Sequence, residues 1–222
     1  MKHFPLLVFD WDGTLVDSID RIVTSLQFAS KKTVNIELSD TQARDVIGLG
    51  LTEAIGKLHP ELDSKLHSNE LNNIAGAYRQ HYMYDNAVPA PLFNGVNDLL
   101  NELRSEGYTL AISTGKSRAG LEQSINEHDL AHHFVTTRCA GENKSKPDPE
   151  MLHEILQELN FSASQTLMIG DSEHDLKMAS NANVQSIGVT HGVHDEATLN
   201  KHSPITCLTD ITDLSAFLSH NL

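Results

Sequence analysis

Four consecutive apolar residues, Leu6-Leu7-Val8-Phe9, stop abruptly at Asp10-Trp11-Asp12-Gly13-Thr14. A run this short with no polar position predicts a strand buried on both faces. The period then changes. Ile19, Ile22, Val23, Leu26 and Phe28 to Ala29 recur at helical spacing, with Asp17 or Ser18 placed to cap. Ser39 and Gln42 match a capping box for a second helix reaching Val46, which Gly48-Leu49-Gly50 breaks. Helical character resumes over 51–58, stops at Pro60, and runs again over about 62–84. No strand-like run interrupts this block.

Pro89-Ala90-Pro91 is a stiff, non-helical joint. Beyond it strands and helices alternate. Helices are predicted over 96–104, 117–128, 149–159, 175–181, 196–200 and 211–218. Strands are predicted over 108–113, 134–137, 166–169, 184–189 and 204–208. Pro149 takes the first position of its helix, Gly107 ends one, and Asn183 supplies a left-handed C-terminal residue. Such alternation implies an α/β fold: a Rossmann-like parallel sheet with helices on both faces. Strand one precedes the helical block and its partners follow it. Residues 17–88 therefore read as an inserted all-helical cap domain, and 1–16 with 89–222 as the core. An insert leaving just after the first strand sits above that strand's carboxyl edge, where a lid belongs.

Composition narrows the classes. The 222 residues are 39% hydrophobic and 21% charged, as in an ordinary soluble globular protein. A formal net charge of −14 argues against nucleic acid as a partner. It also means that any anion site must be positive locally. Cys139 and Cys207 make no metal-like spacing, and free thiols suit a cytoplasmic protein. No apolar run approaches membrane-spanning length, and the early apolar run meets Asp10 too soon for a signal peptide. The thirteen histidines are scattered and expected mostly at the surface; His191 and His194 read as loop residues.

The polar residues at strand ends carry the candidate chemistry. Asp10 and Asp12 stand one residue apart before a Gly turn. Two such carboxylates repel unless a cation or shared proton lies between them, and Mg²⁺ prefers oxygen ligands of this kind. A solvated polar turn after a core strand would look the same. Thr114-Gly115 follow a second apolar strand and precede a helix, where hydroxyl and N–H groups suit an anion. Lys146 stands before Pro147 and Pro149, which limit where it points. Asp171 ends a third strand, and Asp175 follows on the next helix, placed to orient Lys146 or a metal-bound water.

Taken together, Asp10-Trp11-Asp12-Gly13-Thr14, Thr114, Lys146-Pro147 and Gly170-Asp171 with Asp175 resemble the haloacid dehalogenase-like hydrolase superfamily, with a phosphoglycolate phosphatase-like layout. The four motifs stand in order, and the resemblance covers essentially the whole chain. It implies a Mg²⁺-dependent phosphatase acting on a small phosphorylated metabolite, as monomer or homodimer. Asp10 is then the nucleophile and Asp12 the acid and base. Thr114, Gly115 and Lys146 hold the phosphoryl oxygens, while Asp10, the Asp12 backbone carbonyl and Asp171 hold the metal. Asp175 stands behind them. Dehalogenating relatives lack an acid at the position of Asp12. Sugar phosphomutases usually carry an Arg in the cap loop, where Leu51 stands in the segment 46–53. Phosphonate-cleaving relatives use a cap lysine, and Lys57 lies in this insert. A non-catalytic phospho-ligand binder would have lost one of these groups, and none is missing.

Overall fold

The computed structural model describes residues 3–62, 67–85 and 89–220. Its six-stranded sheet is parallel throughout, in the order β3-β2-β1-β4-β5-β6. The strands are β1 (Leu6–Phe9), β2 (Thr109–Ser117), β3 (Thr136–Ala140), β4 (Thr166–Gly170), β5 (Gln185–Val189) and β6 (Cys207–Leu208). β1 lies between β2 and β4, so Phe9 pairs with Ile112 on one side and Ile169 on the other. This register sets the ends of three strands at one edge.

Alternation along β1 builds two layers. Leu7 and Phe9 join a cluster with α5 (Val96–Ser105), α6 (Arg118–Glu127) and α10 (Asp213–His220). Leu6 and Val8 face the opposite cluster, where Met151, Leu152 and Ile155 of α7 (Glu150–Leu159) meet Met178 and Ala179 of α8 (Glu173–Asn181). Both faces are thus covered, and the continuous apolar run of β1 follows from that.

Between β1 and α5 lie α1 (Ile19–Val34), α2 (Asp40–Arg44), α3 (Leu51–Leu58) and α4 (Ser68–Gln80), followed by a π-helical turn, His81–Asp85. Their apolar faces close on each other around Ile22, Val23, Leu26, Val46 and Ile47. The chain leaves and re-enters the sheet layer side by side: Asp17 N donates to Pro91 O at 2.8 Å, and Phe93 N to Leu15 O at 3.0 Å. The expected insert boundary at residue 88 falls outside the described residues.

Several predicted bounds shift. The helix expected over 62–84 is observed as α4 and the π turn; 63–66 lie outside the described residues. The second helix ends at Arg44, because Val46 and Ile47 turn their side chains into the apolar cluster. β3 starts at Thr136 because Phe134 packs into the core near Trp11, with ring centroids 6.2 Å apart. β6 keeps two residues of the five expected, and α9 (Glu196–Leu199) precedes it.

The surface reading of the histidines fails for three of those described: His59, His133 and His174 are buried. Of those described, only His3, His132 and His153 are exposed. Others turn inward to backbone carbonyls: His128 contacts Ala90 O, His174 Asp45 O and His191 Thr14 O. An imidazole buries its apolar body readily once its polar tip has a partner. His191 and His194 do lie in a loop; His194 Nδ1 accepts from Glu173 N at the start of α8. Both cysteines are free thiols. Among the described residues no helix is long and apolar enough to cross a membrane.

Candidate active site

The first motif is a tight turn hung on Trp11. Asp10 N still bonds Ile169 O, continuing the β1 ladder by one residue. Leu15 N and Val16 N then both donate to Trp11 O at 3.0 Å, and Gly13 takes φ +84°, which favours glycine. Trp11 itself is fully buried, its indole N–H on Ser124 Oγ at 3.0 Å. Anchoring the middle residue fixes the acids on either side of it.

Asp10 points at a buried cluster. Lys146 Nζ lies 2.8 Å from Asp10 Oδ1 and 2.6 Å from Asp175 Oδ1, with all three side chains within 2% of full burial. The bond to Asp175 is a hydrogen bond, whereas the contact to Asp10 is an off-axis ion pair that leaves Asp10 Oδ1 without a hydrogen-bond donor. Burial disfavours the Lys146 ammonium, but Asp10 and Asp175 outweigh it and hold it charged. Asp175 is oriented from its other oxygen, which accepts from Ser172 Oγ at 2.6 Å and Ser172 N at 3.1 Å in a capping box.

Asp171 is clamped on both oxygens. Thr14 Oγ1 donates to Oδ1 at 2.7 Å and Val193 N to Oδ2 at 2.8 Å. A Cβ at Gly13 or Gly192 would overlap this carboxylate, so both backbones approach it only as glycine. Burial, then the neighbouring Asp175, pushes the Asp171 carboxyl up to about 7. Burial and Asp175 likewise raise Asp10 well above the usual carboxylate range, against the pull of Lys146.

Carboxylate oxygens of Asp10, Asp171 and Asp175 lie within 4.8 Å of one another. Three buried acids, two with raised pKa and one with an undonated oxygen, fit a hard divalent cation, which would relieve their mutual repulsion. The Asp12 carboxylate stands outside this set. Lys116 Nζ donates to both of its oxygens, at 2.9 and 3.0 Å, and Ser18 Oγ to Oδ1 at 2.6 Å. Each acid of the motif thus has its own lysine, Lys146 for Asp10 and Lys116 for Asp12. Lys116 also donates to Tyr82 Oη at 3.0 Å, and its ammonium sits 4.6 Å from the ring centroid.

Asp10, Asp12, Thr114, Gly115 and Lys116 form the floor of a cavity of about 390 Å³. Lys146, Asp171 and Asp175 lie behind Asp10 and are absent from the cavity wall. The opposite wall comes from α1, the 46–51 loop, α3 and α4. That loop is docked tightly: Gly50 N donates to Ser145 Oγ at 2.7 Å, and a Cβ on Gly115 would stand 2.6 Å from both Gly48 O and Leu49 O. Lys57 reaches Asp45 O at 3.5 Å and does not line the cavity.

A family model described as haloacid dehalogenase-like hydrolase matches residues 7–189. The chain belongs to that family. This hydrolase is 30% identical over 210 residues to phosphoglycolate phosphatase of Vibrio cholerae, covering 90% of this chain and 91% of the relative. It is 28% identical over 216 residues to pyrophosphatase PpaX of Bacillus mycoides, covering 96% of each chain. A crystal structure of a hydrolase from Pseudomonas syringae shares its fold with TM-score 0.85 at 21% identity, covering 96% of this chain and 97% of that one.

The roles of Lys116, Ser18, Tyr82, Thr14, Ser172 and Ser145 in holding the acids and the loop were not read from the sequence. Thr14 sits within the first motif and Lys116 two residues after Thr114, so proximity was a usable signal there. Tyr82 offered none; it meets Lys116 from the far side of the cavity.

Proposed function

We propose that this hydrolase is a Mg²⁺-dependent phosphatase of small phosphate monoesters, working through an aspartyl phosphate on Asp10. The observation that carries the reading is the position of Asp10. It is the one acid of the buried cluster that also faces the cavity, and it has Lys146 behind it. A carboxylate oxygen of Asp10 attacks phosphorus, and the bond from phosphorus to the ester oxygen breaks. Asp12 acts as the general acid that delivers a proton to the leaving oxygen. Water then attacks the phosphorus of the aspartyl phosphate and gives a proton back to Asp12, and Asp10 departs as carboxylate with inorganic phosphate released. Thr114 and Gly115 N–H meet the phosphoryl oxygens from the cavity floor. Lys146 keeps its charge beside Asp10, so phosphoryl negative charge builds next to a fixed cation.

Asp10, Asp171 and the Asp12 backbone carbonyl would hold the ion, with Asp175 within the same cluster. The ion supplies charge neutralisation between an anionic nucleophile and an anionic ester. The insert, residues 17–88, serves as the cap that closes the cavity and selects the leaving group. Purified protein is expected to release p-nitrophenol from p-nitrophenyl phosphate with Mg²⁺ and to stop in EDTA. Undiminished turnover in EDTA would contradict the site.

A further inference from the structure

The wall opposite the acids is poorly suited to a second negative charge. Ile22, Leu26, Ile47 and Leu51 line it, beside the rings of Tyr78 and Tyr82, whose centroids stack 5.6 Å apart. A cavity of about 390 Å³ accepts a ligand approaching drug size, far more than a phosphoryl group on a two-carbon acid. The cations near the floor are already engaged. Lys116 is held by both oxygens of Asp12 and by Tyr82, and Lys146 by Asp10 and Asp175. Glu53 adds negative charge to the lining. Arg79, the other cation of the lining, is solvent-exposed, where an ion pair stabilises little. A carboxylate or second phosphate pressed on the surface of Ile22, Leu26, Ile47 and Leu51 would lose its hydration without gaining a partner there. An apolar group would instead gain by leaving water.

We infer that the preferred substrate is the phosphate monoester of an uncharged, predominantly apolar alcohol, seated against Ile22, Leu26, Ile47, Leu51 and the Tyr78–Tyr82 pair. This assignment rests on the phosphatase reading and narrows it. Its leaving group is retained by burial of apolar surface, and the floor alone handles the phosphoryl charge.

The test compares kcat/KM of the wild-type enzyme with Mg²⁺ for hexyl phosphate and phosphoglycolate, two esters with alkoxide leaving groups. A ratio of ten or more in favour of hexyl phosphate supports the assignment, and a smaller ratio overturns it. Hydrolysis of neither, nor of p-nitrophenyl phosphate, would instead sink the phosphatase reading, so the two failures are distinct. Leu51→Arg places a cation on the wall and is expected to lower the ratio tenfold or more. An unchanged ratio in a variant with native circular dichroism overturns the assignment of this wall. Independently of that variant, 1-hexanol is expected to inhibit wild-type turnover competitively at concentrations where glycolate does not. Equal inhibition by both overturns the proposal.

Discussion

Lys116 grips both carboxylate oxygens of Asp12, at 2.9 and 3.0 Å, across 104 positions of sequence. The ammonium is nearly buried and held charged: burial opposes the charge, and Asp12 with Tyr82 outweighs it. The acid proposed to shuttle the proton is therefore aimed by a residue of β2 and, through Tyr82, tied to the insert.

Removing that grip leaves Asp12 with Ser18 as its side-chain donor among the described residues. Lys116→Met is expected to lower kcat roughly 10²-fold, the scale of a catalytic group displaced by about an ångström. Steady-state kinetics on p-nitrophenyl phosphate, with circular dichroism to establish folding, checks it. A kcat equal to wild type would show that Asp12 needs no such positioning.

Asp10→Asn removes the proposed nucleophile with almost no change of shape. Turnover is expected to fall by more than ~10³-fold while the fold persists, since an amide does not form the covalent intermediate. Mass spectrometry of acid-quenched wild-type enzyme should find the phosphoryl group on Asp10. Finding it on another residue moves the chemistry elsewhere.

Metal removal has a pH signature. Asp171 stands at about 7 in the metal-free fold, against 3.8 for an ordinary aspartate. The folded state therefore binds more protons than the unfolded one between those values, and the penalty of burying this acid grows as pH rises and is complete above about 7. Mg²⁺ bound at the proposed site would relieve that penalty, and protons would compete with it. At a hundred times its Kd the ion should add ~2.7 kcal/mol, or several degrees of Tm for a chain of this size. Thermal melts with and without Mg²⁺ should show a larger gain at pH 8 than at pH 6. The opposite order would take Asp171 out of the metal site.

Gly115 is a contact point between floor and insert. An added Cβ would stand 2.6 Å from Gly48 O and Leu49 O, both backbone atoms. Gly115→Ala should push the 46–51 loop outward and raise KM about tenfold, with a smaller loss in kcat. Crystallography of the variant and the split between KM and kcat test this; an unmoved loop refutes it.

His133 lies outside the cavity lining and bears on stability. Its ring is buried and neither nitrogen has a hydrogen-bond partner. Burial, with His132 and Arg104 nearby, pushes it down to about 4 from 6.5. The unfolded chain then takes up the proton first, so stability is whole above about 6.5 and is lost as pH falls toward 4. The gap corresponds to up to ~3 kcal/mol. Denaturant melts at pH 5 and pH 8 should show His133→Phe flattening that loss; equal acid slopes in the two proteins would exclude it.

What the chain determines locally was legible in it. The bounds of α3, the capping box of Ser39 with Gln42, and the left-handed Asn183 at φ 56° follow from neighbours within a few residues. So does the burial of β1, whose unbroken apolar run requires cover on both faces. The acids at strand ends were legible for the same reason, because a strand that stops at a carboxylate puts it at the sheet edge. Burial of His59, His133 and His174 was not, since the packing around a ring comes from segments that a local pattern does not show. Only the tertiary structure decided that Asp175 joins Asp10 and Asp171 in one cluster. It alone set Lys116 on Asp12 and turned an apolar wall toward the acids. The physical reason is the parallel register: β1 pairs with β2 and β4, so strand ends more than a hundred residues apart meet at one edge. Pairing of that range is governed by packing of the whole sheet, which no local pattern of hydrophobic and polar positions encodes.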